Sequence, residues 1–242
     1  MESINFKDIE LLDSTYHSFG TYARIYKCLY KNILCAYKSF NDDDFLKGKK
    51  NKLNAISKIQ SPYLYTPLYW VKSDFISNNY LSKFCFGKDL NAFSDYEMLH
   101  KIKVLKNAKK AILNMHDNGI IHADLIGSNI MIENDEARII DFDNSSFDRF
   151  KTNTKEINDL SCEFIEKYGI IPEVDIYTFN LITFSIINQC YFHSVRQHIQ
   201  NKEYQYIDDK DAIDILKHMS FDKTTPIKDF LIDAIDESKF KI

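Results

Sequence analysis

The chain has 242 residues, which suits one large domain or two small lobes, and 45% of its residues are hydrophobic and 14% aromatic. This composition supplies enough apolar side chains for an independent core. A formal net charge of −4 and scattered lysines exclude a strongly basic surface, so we expect binding neither to nucleic acid nor to a membrane.

The cysteines favour a reducing compartment. Their number is odd and they form no C-x-x-C pair, which argues against both a disulfide framework and a zinc site. We read no charged-then-apolar leader at the start, and the longest apolar stretch, residues 179–192, is too short and too often interrupted by polar residues to span a bilayer. We therefore expect a cytoplasmic protein.

The first third of the chain favours strands. Residues 25–30 and 33–37 are predicted to form a hairpin with its turn at Lys31-Asn32, and further strands are expected at 69–71 and 80–84. The acidic run 41–44 offers an N-cap and first turn for one helix that ends before Pro62.

After Gly87 the pattern changes to helices. They are predicted at residues 95–118, 174–190, 212–218 and 227–235. Two short strands, 130–132 and 137–140, flank a turn at 133–136. Strands with one helix, followed by a helical remainder, indicate an α+β fold.

The residues with the clearest chemistry lie on both sides of this predicted short hairpin. The run from His122 to Asn129 contains Asp124, and Asp141-Phe142-Asp143 follows the second short strand. Phosphoryl transfer needs such groups, because one carboxylate can orient the attacking hydroxyl while another carboxylate and an amide hold Mg²⁺ on the phosphates.

This segment resembles the catalytic loop and metal-binding motif of the eukaryotic-type protein kinase family. His122, Asp124 and Asn129 match H-x-D-x-x-x-x-N, and Asp141-Phe142 match the start of D-F-G. The resemblance runs from about Leu11 to about Ile235. It implies a single domain with a two-lobed protein kinase-like fold, in which a small strand-rich N-lobe with one helix (about 1–86) precedes a larger helical C-lobe (about 87–242).

The resemblance also implies cofactors and roles for particular residues. ATP with Mg²⁺, or Mn²⁺, would be bound, with Asn129 and Asp141 as metal ligands, and Asp124 would accept the proton of the substrate hydroxyl. Lys38, at the end of a strand resembling V-A-I-K, would bind the α- and β-phosphates. The residues expected to surround the nucleotide are Gly20, Ala36, Lys38, Phe84, Cys85 and Met131. Ser82 or Lys83 would be the gatekeeper, followed by the hinge at Phe84-Cys85.

Two later positions match the family as structural elements. Glu163 resembles the glutamate of A-P-E, and Asp175 resembles the aspartate that begins the long helix of the larger lobe and binds the catalytic-loop backbone. Thr225 stands where the family carries the arginine that pairs with that glutamate.

Several positions depart from the family pattern. The helix glutamate that pairs with the strand lysine is missing, and its expected site falls on Lys52, so either an aspartate among 42–44 replaces it or phosphate alone holds Lys38. Ala123 replaces the arginine of H-R-D, Ile126 replaces a lysine near the γ-phosphate, and Asp143 replaces the glycine of D-F-G.

The resulting first hypothesis is an ATP- and Mg²⁺-dependent kinase that phosphorylates a hydroxyl, expected to be a protein serine or threonine. A pseudokinase that works as a nucleotide-binding or scaffolding module is one alternative. A small-molecule kinase, for which Asp143 and Ile126 are suggestive, is another. The sequence leaves the substrate and the oligomeric state open.

Overall fold

The computed structural model describes residues 1–12, 18–19, 23–41, 46, 48–72, 79–220 and 224–240. Its contacts divide the chain into two compact units. The first contains Met1–Phe86 and Ile140–Asp143, and the second contains Gly87–Ile139 and Asn144–Ile242. A strand-rich unit with one helix and a helical unit together confirm the predicted α+β fold.

The first unit is built on a seven-stranded sheet with the strand order β1-β6-β7-β5-β4-β2, in which β3 also pairs with β4. Its strands are β1 (Glu2–Asn5), β2 (Glu10–Leu11), β3 (Ser18–Phe19), β4 (Ala23–Tyr30), β5 (Ile33–Phe40), β6 (Pro67–Lys72) and β7 (Asn79–Lys83). The helix of this unit is α1 (Lys50–Ile56).

The hairpin of β4 and β5 forms where the sequence predicted it. Lys31 and Asn32 have φ angles of 50° and 61°, the left-handed pair of a two-residue turn whose twist matches the flanking strands. Side chains that alternate along both strands, including Cys28, Cys35 and Tyr37, are buried on one face of the sheet. The opposite face therefore carries the other set, which includes Lys38.

Two features of the first unit differ from expectation. Strand β1 was not predicted, because four residues with one buried side chain, Ile4, give too little periodicity; it runs parallel to β6, from the Glu2–Tyr69 pair to the Asn5–Lys72 pair. The described helix is α1 alone, and the predicted helix start at Asp42, Asp43 and Asp44 lies outside the described residues.

The second unit is mainly helical. Its helices are α2 (Met98–Asp117), α3 (Asp159–Tyr168), α4 (Glu173–Asn188), α5 (Val195–Gln200) and α6 (Asp209–Met219). Its short strands are β8 (Lys88–Asp89), β9 (Ile120–Ile121), β10 (Ile130–Glu133), β11 (Glu136–Ile139) and β12 (Ser146–Phe147). Within the described residues, no helix has the length and apolar character needed to cross a membrane.

The predicted helix at 227–235 is wrong. Only a 3₁₀ turn, Leu231–Ala234, forms there. The side chain of Asn180 in α4 donates to the carbonyl of Asp229 and accepts from the amide of Leu231, both at 2.8 Å. These buried bonds occupy backbone groups that an α-helix would have used.

Helix α3 was missed although its boundaries carry end signals. Asn158 caps its first turn by accepting from the amide of Ser161, and Gly169, with a φ angle of 85°, ends it. In contrast, the hairpin of β10 and β11 forms as predicted, with Asn134 and Asp135 at its left-handed turn.

Candidate active site

The loop that follows β9 is held by a buried carboxylate from α4. Asp175 is fully buried, and its two oxygens accept the backbone amides of His122 and Ala123, each at 2.8 Å. His116 in α2 adds a third contact, with Nε2 2.9 Å from Asp175 Oδ2. The structure therefore gives Asp175 the loop-binding position expected for it.

The backbone of this loop is strained at Ala123. Its φ angle is 63°, in the left-handed region that costs a non-glycine residue about 1–3 kcal/mol. The bond from the Ala123 amide to Asp175 holds this conformation. Asp124, the next residue, is oriented as a result.

Asn129 is fixed by its own loop. Its Nδ2 donates to the backbone carbonyl of Asp124 at 2.9 Å, which leaves the amide oxygen as the group able to bind a cation. A 3₁₀ turn, Gly127–Asn129, brings the two residues together.

The carboxylate of Asp124 is held by Asn158, a residue that the sequence analysis did not single out. Asp124 Oδ1 accepts from both the backbone amide and the Nδ2 of Asn158, each at 3.0 Å. Asn158 is also the N-cap of α3. One asparagine thus begins a helix and orients the proposed base.

In the first unit, Lys38 lies between two carboxylates. Its Nζ is 2.7 Å from Asp141 Oδ1 and 2.7 Å from Asp143 Oδ2. Tyr80 in β7 donates its hydroxyl to the other oxygen of Asp143 at 2.8 Å. Lys38 therefore has direct carboxylate partners, so the expectation that phosphate alone would hold it is wrong. The other proposed partners, Asp42, Asp43 and Asp44, lie outside the described residues.

Lys52, at the expected glutamate position, points inward. It is 2% exposed, and its Nζ donates to the backbone carbonyl of Asp143 at 2.7 Å. A buried ammonium is costly unless such partners compensate it.

Burial and neighbouring charges both shift the pKa values of these groups, and for Lys38 and Asp143 the two effects oppose each other. Burial alone would lower the pKa of the Lys38 ammonium, but Asp141 and Asp143 together raise that pKa above its ordinary value. Burial raises the pKa of the Asp143 carboxyl, partly offset by Lys38. Burial and the nearby carboxylates raise the pKa of Tyr80 well above its usual range, so its hydroxyl remains a donor.

The pairing of β5 with β7 settles which gatekeeper candidate faces Lys38. Lys38 pairs with Tyr80 and Ala36 pairs with Ser82, so these four residues lie on the same face of the sheet. Lys83 lies on the other face, with its ammonium 5.6 Å from the ring centre of Tyr65. Ser82 is therefore the candidate on the Lys38 face.

The remaining expected nucleotide contacts are partly accessible. Phe84 and Cys85 follow β7 as half-buried, irregular chain, and Met131 in β10 of the second unit is half-buried. Gly20 lies outside the described residues.

The ion pair that the family forms between the positions of Glu163 and Thr225 is not expected here, because threonine carries no charge. Glu163 lies on α3 with an exposed side chain, and Thr225 is exposed as well. An exposed pair without an arginine would contribute little to stability.

Comparison with known proteins identifies the family. The model of the protein kinase domain matches residues 19–238. The chain belongs to the protein kinase family. The match includes every proposed catalytic residue, from Lys38 in the first unit to Asp124 and Asn129 in the second.

This kinase-family chain is also similar to two curated proteins. It is 21% identical over 199 residues to a probable serine/threonine-protein kinase, gdt2, of Dictyostelium discoideum, covering 74% of this chain and 12% of that protein. It is 25% identical over 208 residues to a putative serine/threonine-protein kinase/receptor, R826, of Acanthamoeba polyphaga mimivirus, covering 76% of this chain and 12% of that protein. The match therefore spans about an eighth of the length of each relative.

The metal ligands that the kinase resemblance implies are of a chemical type that Mg²⁺ uses. A carboxylate, Asp141, and an amide oxygen, Asn129, are hard ligands of the kind that Mg²⁺ uses together with phosphates and water. The described residues contain no group of three or more His, Cys, Asp or Glu side chains that could hold a metal by themselves.

Three residues of this candidate site were missed: Asn158, Tyr80 and His116. Asn158 could have been found as an N-cap, since it stands three residues before Ser161 at the start of an amphipathic run. Tyr80 and His116 carry no such signal, because only the folded chain brings them to Asp143 and Asp175.

Proposed function

We propose that this chain is an active kinase that transfers the γ-phosphate of ATP, with Mg²⁺, to the hydroxyl of a protein serine or threonine. The observation that carries the proposal is the ordered catalytic loop, in which Asp175 holds the backbone at His122 and Ala123 while Asn129 binds the Asp124 carbonyl. Retaining a strained loop of this kind supports catalysis more than scaffolding. The whole chain would act as one kinase domain.

Each residue has a chemical task in this proposal. Asp124, with Oδ1 held by Asn158, offers its other oxygen to the hydroxyl proton of the substrate. Lys38 binds phosphate oxygens by its ammonium. Asp141 and Asn129 would hold Mg²⁺, which supplies neutralisation of the charge on the transferring phosphoryl group.

The nucleotide base would lie against the first unit. Ala36 and Ser82 are small and share the face of Lys38, which leaves room for a planar ring, and the backbone at Phe84 and Cys85 would pair with adenine. Gly20 and Met131 complete the proposed contacts by resemblance to the family.

A pseudokinase is the second candidate, and a specific observation favours it. Lys38 is already engaged by Asp141 and Asp143, so nucleotide and metal would have to compete with these ion pairs. The small-molecule alternative has weaker support, because the Asp143 carboxylate that suggested it is used by Lys38 and Tyr80.

The test is transfer of labelled phosphate from ATP with Mg²⁺ or Mn²⁺ to a generic protein substrate. We expect Asp141→Asn to reduce transfer by on the order of a hundredfold or more, because it removes a charged ligand at the reacting phosphates. Asp117→Asn, at an exposed position of α2, is the control and should behave like the wild type.

The outcomes separate the candidates. A folded wild type that binds ATP without transferring phosphate would be a pseudokinase. Transfer to small hydroxyl compounds but not to protein would support the small-molecule reading. Full activity in Asp141→Asn would refute the proposed metal ligand.

A further inference from the structure

Two of the positions that depart from the family pattern are in contact with each other. Lys52 stands where the kinase resemblance places a glutamate, and Asp143 stands where it places a glycine. In the structure, Lys52 Nζ donates to the backbone carbonyl of Asp143, and the Asp143 carboxylate binds Lys38. All three residues belong to the first unit.

We propose that Asp143 is the positioning residue for Lys38, and that Lys52 fixes Asp143 in that role. The carboxylate that the family supplies from the helix thus comes here from Asp143, and the helix position carries a lysine that donates to the backbone carbonyl of Asp143. Lys52 and Asp143 are then a matched exchange, not two independent losses. For its catalytic consequence, this inference rests on the proposed phosphoryl transfer.

Burial explains why the side chains of Lys52 and Asp143 both need close partners. Lys52 and Asp143 are each 2% exposed, and buried charges of this kind persist only with close partners. With glycine at 143, Lys38 would keep Asp141 as a carboxylate partner, and the Tyr80 hydroxyl would lose the acceptor that Asp143 provides. With glutamate at 52 and Asp143 unchanged, three carboxylates would surround Lys38. Either single change therefore unbalances the cluster.

The contacts of Asp143 distinguish positioning from metal binding. One carboxylate oxygen accepts from Lys38 at 2.7 Å and the other accepts from Tyr80 at 2.8 Å. The Tyr80 ring also lies 5.9 Å from Lys38 Nζ, measured to the ring centre. Asp143 thus orients the Lys38 ammonium through one carboxylate oxygen, while the bond from Tyr80 to the other oxygen holds the carboxylate in place.

The experiment exchanges the two residues in steps. We would compare the wild type with Asp143→Gly, Lys52→Glu and the double variant Lys52→Glu/Asp143→Gly, which restores the common family arrangement. Each single variant should lose on the order of a hundredfold in kcat, with a smaller change in the KM for ATP, because a displaced Lys38 fails in the transition state. The double variant should recover at least about tenfold over the worse single variant.

Asp143→Asn is the matched control for shape. It keeps the size of the side chain but removes the charge, so a role limited to packing would leave kcat unchanged. We expect Asn to be nearly as poor as Gly. A wild-type kcat in Asp143→Asn, or a double variant as impaired as the product of its single losses, would overturn the proposal.

A measurement that needs no activity separates this inference from the proposed function. Trp70, the one tryptophan of the chain, lies in the first unit, so its fluorescence follows the unfolding of that unit. The folded-to-unfolded ratio would be measured for Lys38→Met, for Asp143→Asn and for the double variant. If the two residues are paired, the ratio in the double variant should be about tenfold higher than the two single losses multiplied together would give. A double variant whose loss of stability equals the two single losses multiplied together would overturn the proposed pairing of Lys38 with Asp143. An inactive wild type with a coupled pair would refute only the kinase activity.

Discussion

Replacing Asp175 by alanine should destabilise the helical unit far more than the loss of an ordinary helix-start acid. The carboxylate is fully buried and accepts two backbone amides, those of His122 and Ala123, each at 2.8 Å. Alanine would leave both amides buried without an acceptor and would also release His116.

The magnitude follows from these contacts. Each buried donor left without a partner costs about 1–3 kcal/mol, so the two amides together cost about 2–6 kcal/mol. Glu173 provides the control, because it is an acid in the first turn of the same helix, α4. If Asp175 contributed only through the helix dipole, either substitution would cost about 0.3–1 kcal/mol.

Urea unfolding followed by two signals measures the difference. Far-ultraviolet circular dichroism reports chiefly on the helical second unit, while Trp70 fluorescence reports on the first. Asp175→Ala should lower the midpoint of the dichroism transition strongly, and Glu173→Ala should shift it slightly. Equal shifts in the two variants would refute the reasoning, because Asp175 would then act only as a helix-start charge.

Three further predictions concern single residues. Asn158→Ala should lower kcat by about tenfold with little change in ATP affinity, because Asp124 Oδ1 loses the Nδ2 donor of Asn158 and keeps the backbone amide of residue 158, whose position the helix cap no longer fixes. Steady-state kinetics would show the loss, and an unchanged kcat would mean that the base does not need the side-chain bond. Burial raises the pKa of Cys28 to about 12, so the folded chain keeps a proton that the unfolded chain releases above about pH 9. The free energy of unfolding should therefore fall from pH 9 towards pH 12. Peptide mapping after iodoacetamide treatment at pH 9 should find Cys85 modified before Cys28. Gly87→Ala should destabilise the second unit by about 1–3 kcal/mol in urea unfolding, because the alanine Cβ would lie 2.1 Å from a backbone carbonyl oxygen of β10. An unchanged unfolding midpoint would show that this strand can shift freely.

The sequence predicted the parts of the fold that local chemistry determines. The turns at Lys31-Asn32 and Asn134-Asp135 require left-handed residues, and both hairpins formed at those positions. Long helices such as α2 and α4 were found because their apolar residues repeat over several turns. Their ends differ from prediction by only a few residues.

The errors arose where distant groups decide the structure. The segment 227–235 has an apolar pattern suited to a helix, but Asn180 from α4 takes its backbone groups. Strand β1 depends on β6, more than sixty positions away in the chain, for its hydrogen bonds. Neither relation leaves a periodic signal.

The candidate site shows the same division. The spacing of Asp124, Asn129 and Asp141 could be read directly from the chain, and the resemblance to the kinase family implied the loop-binding position of Asp175. The Asp143 partner of Lys38 could not be predicted, because Asp143 is more than a hundred positions away from Lys38 in the chain and only the folded structure brings the two together. Two separate departures from the family pattern proved to be in contact.

The double use of Asn158 links the proposed base to the thermal stability of one short helix. Asn158 caps α3, and the same side chain and its own amide hold Asp124. Fraying of the first turn of α3 would release the carboxylate without any covalent modification. Ala123 stands in place of the family arginine that contacts a phosphorylated loop residue, so local opening of this helix turn would be the event that frees the carboxylate of Asp124.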